Sequence, residues 1–301
     1  MKKALKIVLK IVLIVVIVLV LVFVGTFAFN FIKYKYFRRS YEGEVISFNA
    51  LDKINENREN FDPANYGLTL AWSDDFDGDK LDPKKWECCP EWERGDLGAR
   101  WDDDMVKLDG KGNLILKVGL DENNKIVSGA VRTKTKDNRV LFEQARGYFE
   151  IRTTLQSVPG YWAAFWMFGD NKTNPGNGAS DGAEIDVFES FDLKGGQINH
   201  AVHWDGVGET TKSLGGHTVN KNLYDGDYHT FGLLWADDGY FFYVDGKLSY
   251  SIPATWANFP GSSADPSYLK ISNEVGTWAG YMLKSYLPDQ IKVDYVKVYS
   301  F

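Results

Sequence analysis

From Leu68 onward, no long stretch of this chain keeps the 3.6-residue apolar period of a helix. Short alternating runs follow one another instead, separated by turn residues. Residues 113–118 are apolar-rich and follow the turn Asp109-Gly110-Lys111-Gly112. Residues 148–155 place Phe149, Ile151 and Leu155 on one face and Glu150 and Arg152 on the other. Residues 240–244 run into Asp245-Gly246, a hairpin signal, and residues 291–299 alternate as well. No internal repeat is visible. This pattern predicts an all-β fold, two antiparallel sheets packed as a jelly-roll sandwich. A length of 301 residues allows one good-sized β domain plus appendages.

One of the expected strands carries unusual chemistry. Glu184-Ile185-Asp186-Val187-Phe188-Glu189 puts three carboxylates in six residues, separated only by large apolar side chains. Like charges crowded on one sheet face repel, so a purely structural strand has no reason to hold them. Two close carboxylates with pKa values forced apart are what glycosidic bond cleavage needs. Strand geometry tests the idea. Glu184 and Asp186 share a face, but Glu189 falls one position late and in a regular strand points the other way. A one-residue bulge near Val187–Phe188 returns it to the same face, and bulges are frequent beside active sites.

The order Glu-x-Asp-x-x-Glu resembles the signature of glycoside hydrolase family 16 in its bulged, laminarinase-type form. The similarity continues in Ala145-Arg146-Gly147-Tyr148-Phe149-Glu150-Ile151-Arg152 and in Gly160-Tyr161-Trp162-Ala163-Ala164-Phe165-Trp166-Met167, with Ala163 where the family usually has Pro. It extends through His203-Trp204, through His229-Thr230-Phe231-Gly232 to Trp235, then Tyr243-Val244-Asp245-Gly246, and ends in Val293-Asp294-Tyr295-Val296-Lys297-Val298-Tyr299. It covers about residues 70–301. The resemblance implies a concanavalin-like sandwich and a retaining mechanism. Glu184 is then the nucleophile, Glu189 the general acid/base, Asp186 the carboxyl between them, and His203 a tuner of the proton on Glu189. Trp162, Trp166 and Trp204 are expected to stack on sugars at the cleavage site, and Trp101 at a more distant subsite. Asp104 stands where the family often has Asn. No cofactor is expected for catalysis. A structural Ca²⁺ is implied at Asp75, Gly112 and Asp294, the first two through backbone carbonyls.

The amino-terminal part is of another kind. Residues 11–32 contain no charged side chain, and as a helix these 22 residues would span about 33 Å, enough to cross a bilayer. The run exceeds a signal-peptide core, and Gly25-Thr26-Phe27-Ala28 is a poor cleavage site. The expected organisation is a cytoplasmic segment over 1–10, a transmembrane anchor over 11–32, a stalk over 33–65 with one short helix near 50–57, and the catalytic domain over 66–301. Basic residues flank both ends of the run, so charge does not orient it. A polysaccharide-cutting domain belongs outside, which places it extracytoplasmic, with secretion after cleavage as the alternative. The first 40 residues hold eight of the 34 Lys and Arg and no acid, leaving 26 basic against 41 acidic residues, a net charge of about −15. Such a domain does not bind nucleic acid through phosphates, and a neutral polysaccharide suits it better than a strongly anionic one. The only cysteines, Cys88 and Cys89, are adjacent, either free thiols or a vicinal disulfide. The expected activity is endo-hydrolysis of a β-1,3- or mixed β-1,3/1,4-glucan by a monomer. Transglycosylation and non-catalytic sugar binding on the same sandwich are the alternatives.

Overall fold

The computed structural model describes residues 15–18, 20, 45–47 and 61–301 except 91 and 95. The chain divides into two units, Met1–Ser40 and Tyr41–Phe301. The expected cytoplasmic segment, nearly all of the anchor and the helix near 50–57 lie outside the described residues. Among the described residues no helix is long and apolar enough to cross a membrane.

The second unit is a two-sheet sandwich. The sheet that matters for function contains β1 (Val45–Ser47), β2 (Glu87–Cys88), β3 (Ala130–Arg132), β4 (Tyr161–Phe168), β5 (Glu184–Asp192), β6 (Gln197–Trp204), β7 (Lys212–Val219) and β8 (Ser267–Val275). Its spatial order is β1-β7-β6-β5-β4-β8-β3-β2, with Glu143–Gln144 also pairing β8. The opposing 11-stranded sheet is built around Gly147–Thr153, His229–Ala236 and Asp289–Ser300. Pairing is antiparallel except for β1 with β7 and Ala99–Trp101 with Ile126–Ser128. The hairpin at Asp245-Gly246 forms between Gly239–Val244 and Lys247–Pro253. The segment expected to be stalk packs onto the sandwich from Phe61, whose ring sits 4.4 Å from Tyr148 and 4.9 Å from Tyr243.

Period-two alternation fills the core from both sheets. On β4, Ala163, Phe165 and Met167 point inward, and Trp162, Ala164, Trp166 and Phe168 point to the other face. From β5, Phe188 stacks on Phe231 of the opposing sheet with centroids 4.1 Å apart. Phe149 meets Trp235 at 6.1 Å. Burying aromatic side chains of this size contributes about 1.5–3 kcal/mol each, which fixes β5 firmly against the second sheet. Both thiols are free, Cys89 being buried and Cys88 partly so.

Candidate active site

The face of β5 turned away from the core carries Glu184, Asp186 and Glu189. What permits this is an irregularity in pairing. Against β4, Trp166 is opposite Asp186 and Phe165 is opposite Phe188, so one residue, Val187, is extra. Against β6, Asp186 faces Ala201 and Glu189 faces Asn199, so His200 alone opposes Val187 and Phe188. Val187 and Phe188 both point into the core, and the side-chain alternation restarts with Glu189 outward.

The bulge is held from inside. His200 is fully buried, and its Nδ1 donates to the Val187 carbonyl at 2.6 Å. Because a carbonyl only accepts, this fixes the tautomer, and Nε2 accepts from the Ser249 hydroxyl at 2.8 Å. Burial brings the His200 pKa down to about 4, so the ring is neutral.

The two outer carboxylates have unlike surroundings. Glu189 accepts from Trp162 Nε1 at 3.1 Å and from Asn199 Nδ2 at 2.7 Å. Burial, joined by the charge of Asp186, nevertheless pushes its pKa well above the usual carboxylate range, so it holds a proton. Ala164 stands opposite Glu189 on β4. Burial acts upward on Glu184 too, but the charges of His203 and Lys172 outweigh it and hold this carboxyl low, hence ionised. Lys172 Nζ lies 3.1 Å from Glu184 Oε2. It comes from the short helical turn Asp170–Thr173, brought close by Gly182. Gly182 has φ +137°, and a Cβ there would sit 2.8 Å from the Lys172 nitrogen, so only glycine lets the turn approach. Asp186 meets His203 Nε2 at 2.9 Å, and His203 Nδ1 lies 2.5 Å from Ser213 Oγ. Burial raises Asp186 against the opposing pull of His203.

The tryptophans divide. Trp162 is half-buried, bonds Glu189 and meets Trp278 edge-on at 5.0 Å, so it borders the site. Trp166 is on the same face, but its Nε1 donates to Ser272 Oγ and its ring is covered by Lys270 Nζ at 3.8 Å. Trp101 is 1% exposed and lies under the Arg94 guanidinium at 4.5 Å, so it offers no open ring to a sugar. Trp204 belongs to the sandwich core. It follows His203 by one residue and so takes the opposite face of β6, which removes it from sugar stacking. Exposed Trp92, 6.2 Å from Trp101, is an aromatic that motif matching passes over.

The expected calcium positions come together only in part. A Cβ on Gly112 would lie 3.7 Å from the Asp75 carbonyl oxygen, so those backbones meet. The Asp294 carboxylate is bound by Arg152 Nη1 at 2.5 Å. Calcium takes about six to eight oxygens, and among the described residues no group of three or more His, Cys, Asp or Glu side chains assembles. Two of the implied donors are backbone carbonyls, and no step is assigned to such an ion.

A β-sandwich presenting a protonated and an ionised carboxyl on one sheet face is built as a carbohydrate-cleaving scaffold. The chain belongs to glycosyl hydrolases family 16, whose family model matches residues 99–297. It is 29% identical over 269 residues to glucan endo-1,3-beta-glucosidase A1 of Niallia circulans, covering 79% of this chain and 39% of that protein. It is 28% identical to a beta-glucanase of Rhodothermus marinus over 76% of this chain and 84% of the relative. Among solved structures, the laminarinase catalytic domain of Thermotoga maritima superposes with a TM-score of 0.62 at 26% identity, over 78% of this chain and 98% of that one.

Proposed function

We propose that this chain cleaves internal β-glycosidic bonds of a β-1,3- or mixed β-1,3/1,4-glucan with retention. One observation carries the reading: a single extra residue in β5 gathers Glu184, Asp186 and Glu189 on one face, with Glu184 ionised and Glu189 protonated. In the first step the Glu184 carboxylate bonds to the anomeric carbon as the glycosidic C–O bond breaks, and Glu189 gives its proton to the leaving oxygen. In the second step water attacks the same carbon, Glu189 takes a proton from it, and the ester to Glu184 breaks. Asp186, held by His203, keeps its carboxyl beside Glu184 without taking part in bond making. The names of the Niallia and Rhodothermus relatives support a glucan as substrate.

The test is reducing-end release from laminarin and barley glucan. Glu184→Gln and Glu189→Gln each bring turnover nearly to zero while unfolding midpoints stay close to wild type. Near-normal turnover by either variant removes the assignment. The uncharged run over residues 11–32 supports a membrane tether with the catalytic unit outside. The full chain is then expected in the membrane fraction after alkaline wash, and its recovery in the soluble fraction defeats the tether.

A further inference from the structure

Glu189 has to serve twice, first by holding a proton and then, once the leaving group has gone, by taking one from water. Its two partners match only one of these states. Trp162 Nε1 donates to Oε1 at 3.1 Å and Asn199 Nδ2 donates to Oε2 at 2.7 Å, so both oxygens meet N–H groups. That suits a carboxylate. A protonated carboxyl has a donor of its own, and an O–H on Oε2 would point at an N–H.

The partners differ in how they can respond. An indole N–H only donates. A side-chain amide carries a donor and an acceptor at opposite corners, and its terminal torsion is two-fold, so a half-turn exchanges them in place. Asn199 stands opposite Glu189 in the register of β5 with β6 and is fully buried. Its neighbours Ile198 and His200 point the other way, into the core. Among the described residues the bond to Glu189 is the one hydrogen bond of its side chain, and its Oδ1, sealed from solvent, has no partner. A buried acceptor left without a donor is unfavourable, and the O–H of a protonated Glu189 is the donor that a half-turn would give it. Nothing else among the described residues ties the amide to one orientation.

We infer that Asn199 is a positioning residue whose amide turns over with each half-reaction: Oδ1 accepts from the Glu189 O–H in the resting enzyme, and Nδ2 donates to the Glu189 carboxylate in the glycosyl-enzyme. This rests on the retaining-hydrolase reading and deepens it. As the glycosidic C–O bond breaks, the proton of Glu189 passes to the leaving oxygen, and the half-turn brings Nδ2 to the carboxylate left behind. As water attacks, its oxygen bonds to the anomeric carbon, one of its protons passes to Glu189, the ester to Glu184 breaks, and the amide turns back. Trp162 donates in both states. The charged and titratable groups around Glu189 are Asp186 and Glu184 on its own strand, His217 across from Asn199 on β7, and Glu274 across from Trp162 on β8, which pairs with Arg94. All of them stay in place when Asn199 is replaced.

The experiment follows kcat/KM of the full chain on laminarin against pH, which reads the acid step. It also follows kcat on dinitrophenyl β-laminaribioside, whose leaving group needs no proton and so exposes the second step. Asn199→Leu keeps the volume and removes donor and acceptor together. The protonated and ionised forms of Glu189 then lose a partner alike, so the alkaline limb moves by less than about 0.5 pH unit while both rates fall at least tenfold. Trp162→Phe removes a donor alone and moves that limb up, which makes it the control. Asn199→Ser keeps a group that donates and accepts, in a smaller side chain, and is expected to exceed Asn199→Leu in both rates by threefold or more. A limb that moves up in Asn199→Leu as in Trp162→Phe makes Asn199 a fixed donor and overturns the inference. Full activity in Asn199→Leu overturns it too, and so does Asn199→Ser no faster than Asn199→Leu, which marks a packing role. If wild type cuts neither substrate, the hydrolase reading fails instead. NMR titration of the isotope-labelled Glu189 carboxyl in wild type and Asn199→Leu then decides: a pKa left in place upholds the two-way amide, and a raised one overturns it.

Discussion

Replacing His200 with Phe tests whether the bulge is held from within the core. The ring of His200 lies 5.0 Å from Phe242 and 6.4 Å from Tyr250, so Phe keeps the packing and removes only the hydrogen bonds. The Val187 carbonyl then loses its side-chain donor, at a cost of about 1–3 kcal/mol, while the Ser249 hydroxyl keeps the Thr218 hydroxyl as a partner. The pH dependence adds a signature with a definite sign. His200 has its pKa lowered by burial from 6.5 to about 4, so between these values the unfolded chain takes up a proton that the folded chain refuses. The stability this contributes is complete above pH 6.5 and is lost as pH falls to about 4, amounting to about 3 kcal/mol over the window. His200→Phe lacks this slope. Urea unfolding followed by tryptophan fluorescence at pH 7.0, 6.0, 5.0 and 4.5 therefore shows wild type ahead by about 1–3 kcal/mol at neutral pH, with the gap closing toward pH 4.5. The variant also loses about tenfold to a hundredfold in kcat/KM as Glu189 shifts from its place. A gap that stays constant with pH, or a variant as stable and active as wild type at pH 7, refutes the reasoning.

Other outcomes follow from the same geometry. Lys172→Met leaves burial of Glu184 less opposed, so its pKa rises and the acidic limb of the kcat/KM profile moves to higher pH; an unmoved limb separates Lys172 from the nucleophile. Trp162→Phe removes a donor to the ionised form of Glu189, so the alkaline limb of the same profile moves up, and no movement there discounts the bond. Gly182→Ala crowds the Lys172 nitrogen, and circular dichroism melting is expected to show it destabilised by more than 1 kcal/mol, with turnover reduced. A melting curve matching wild type with full turnover shows that the turn has room to spare.

The strand alternation was open to reading because β-sandwich strands bury one face, and the 2-residue period records which one. The bulge was legible for a chemical reason: three carboxylates make sense together only on one side, and the spacing of Glu189 then demands an extra residue. Trp204 shows where motif matching misleads, since parity with His203 already puts it on the core side. Lys172, Asn199, His200 and Lys270 were not legible. Each acts on β5 or its cleft from another element, through a turn or through strand register, and nothing local to its own sequence announces the partner. The calcium positions are a different case, because Asp294 sits at a family position while one of its carboxylate oxygens accepts from Arg152.

The account stands or falls on two carboxyl groups, one charged and one protonated, converging on the same sugar. Proton NMR of the first product released from a β-glucan reads this directly. A β-configured anomeric proton that appears first and then mutarotates is the predicted result. An α-configured product appearing first means inversion, and contradicts the nucleophile role of Glu184.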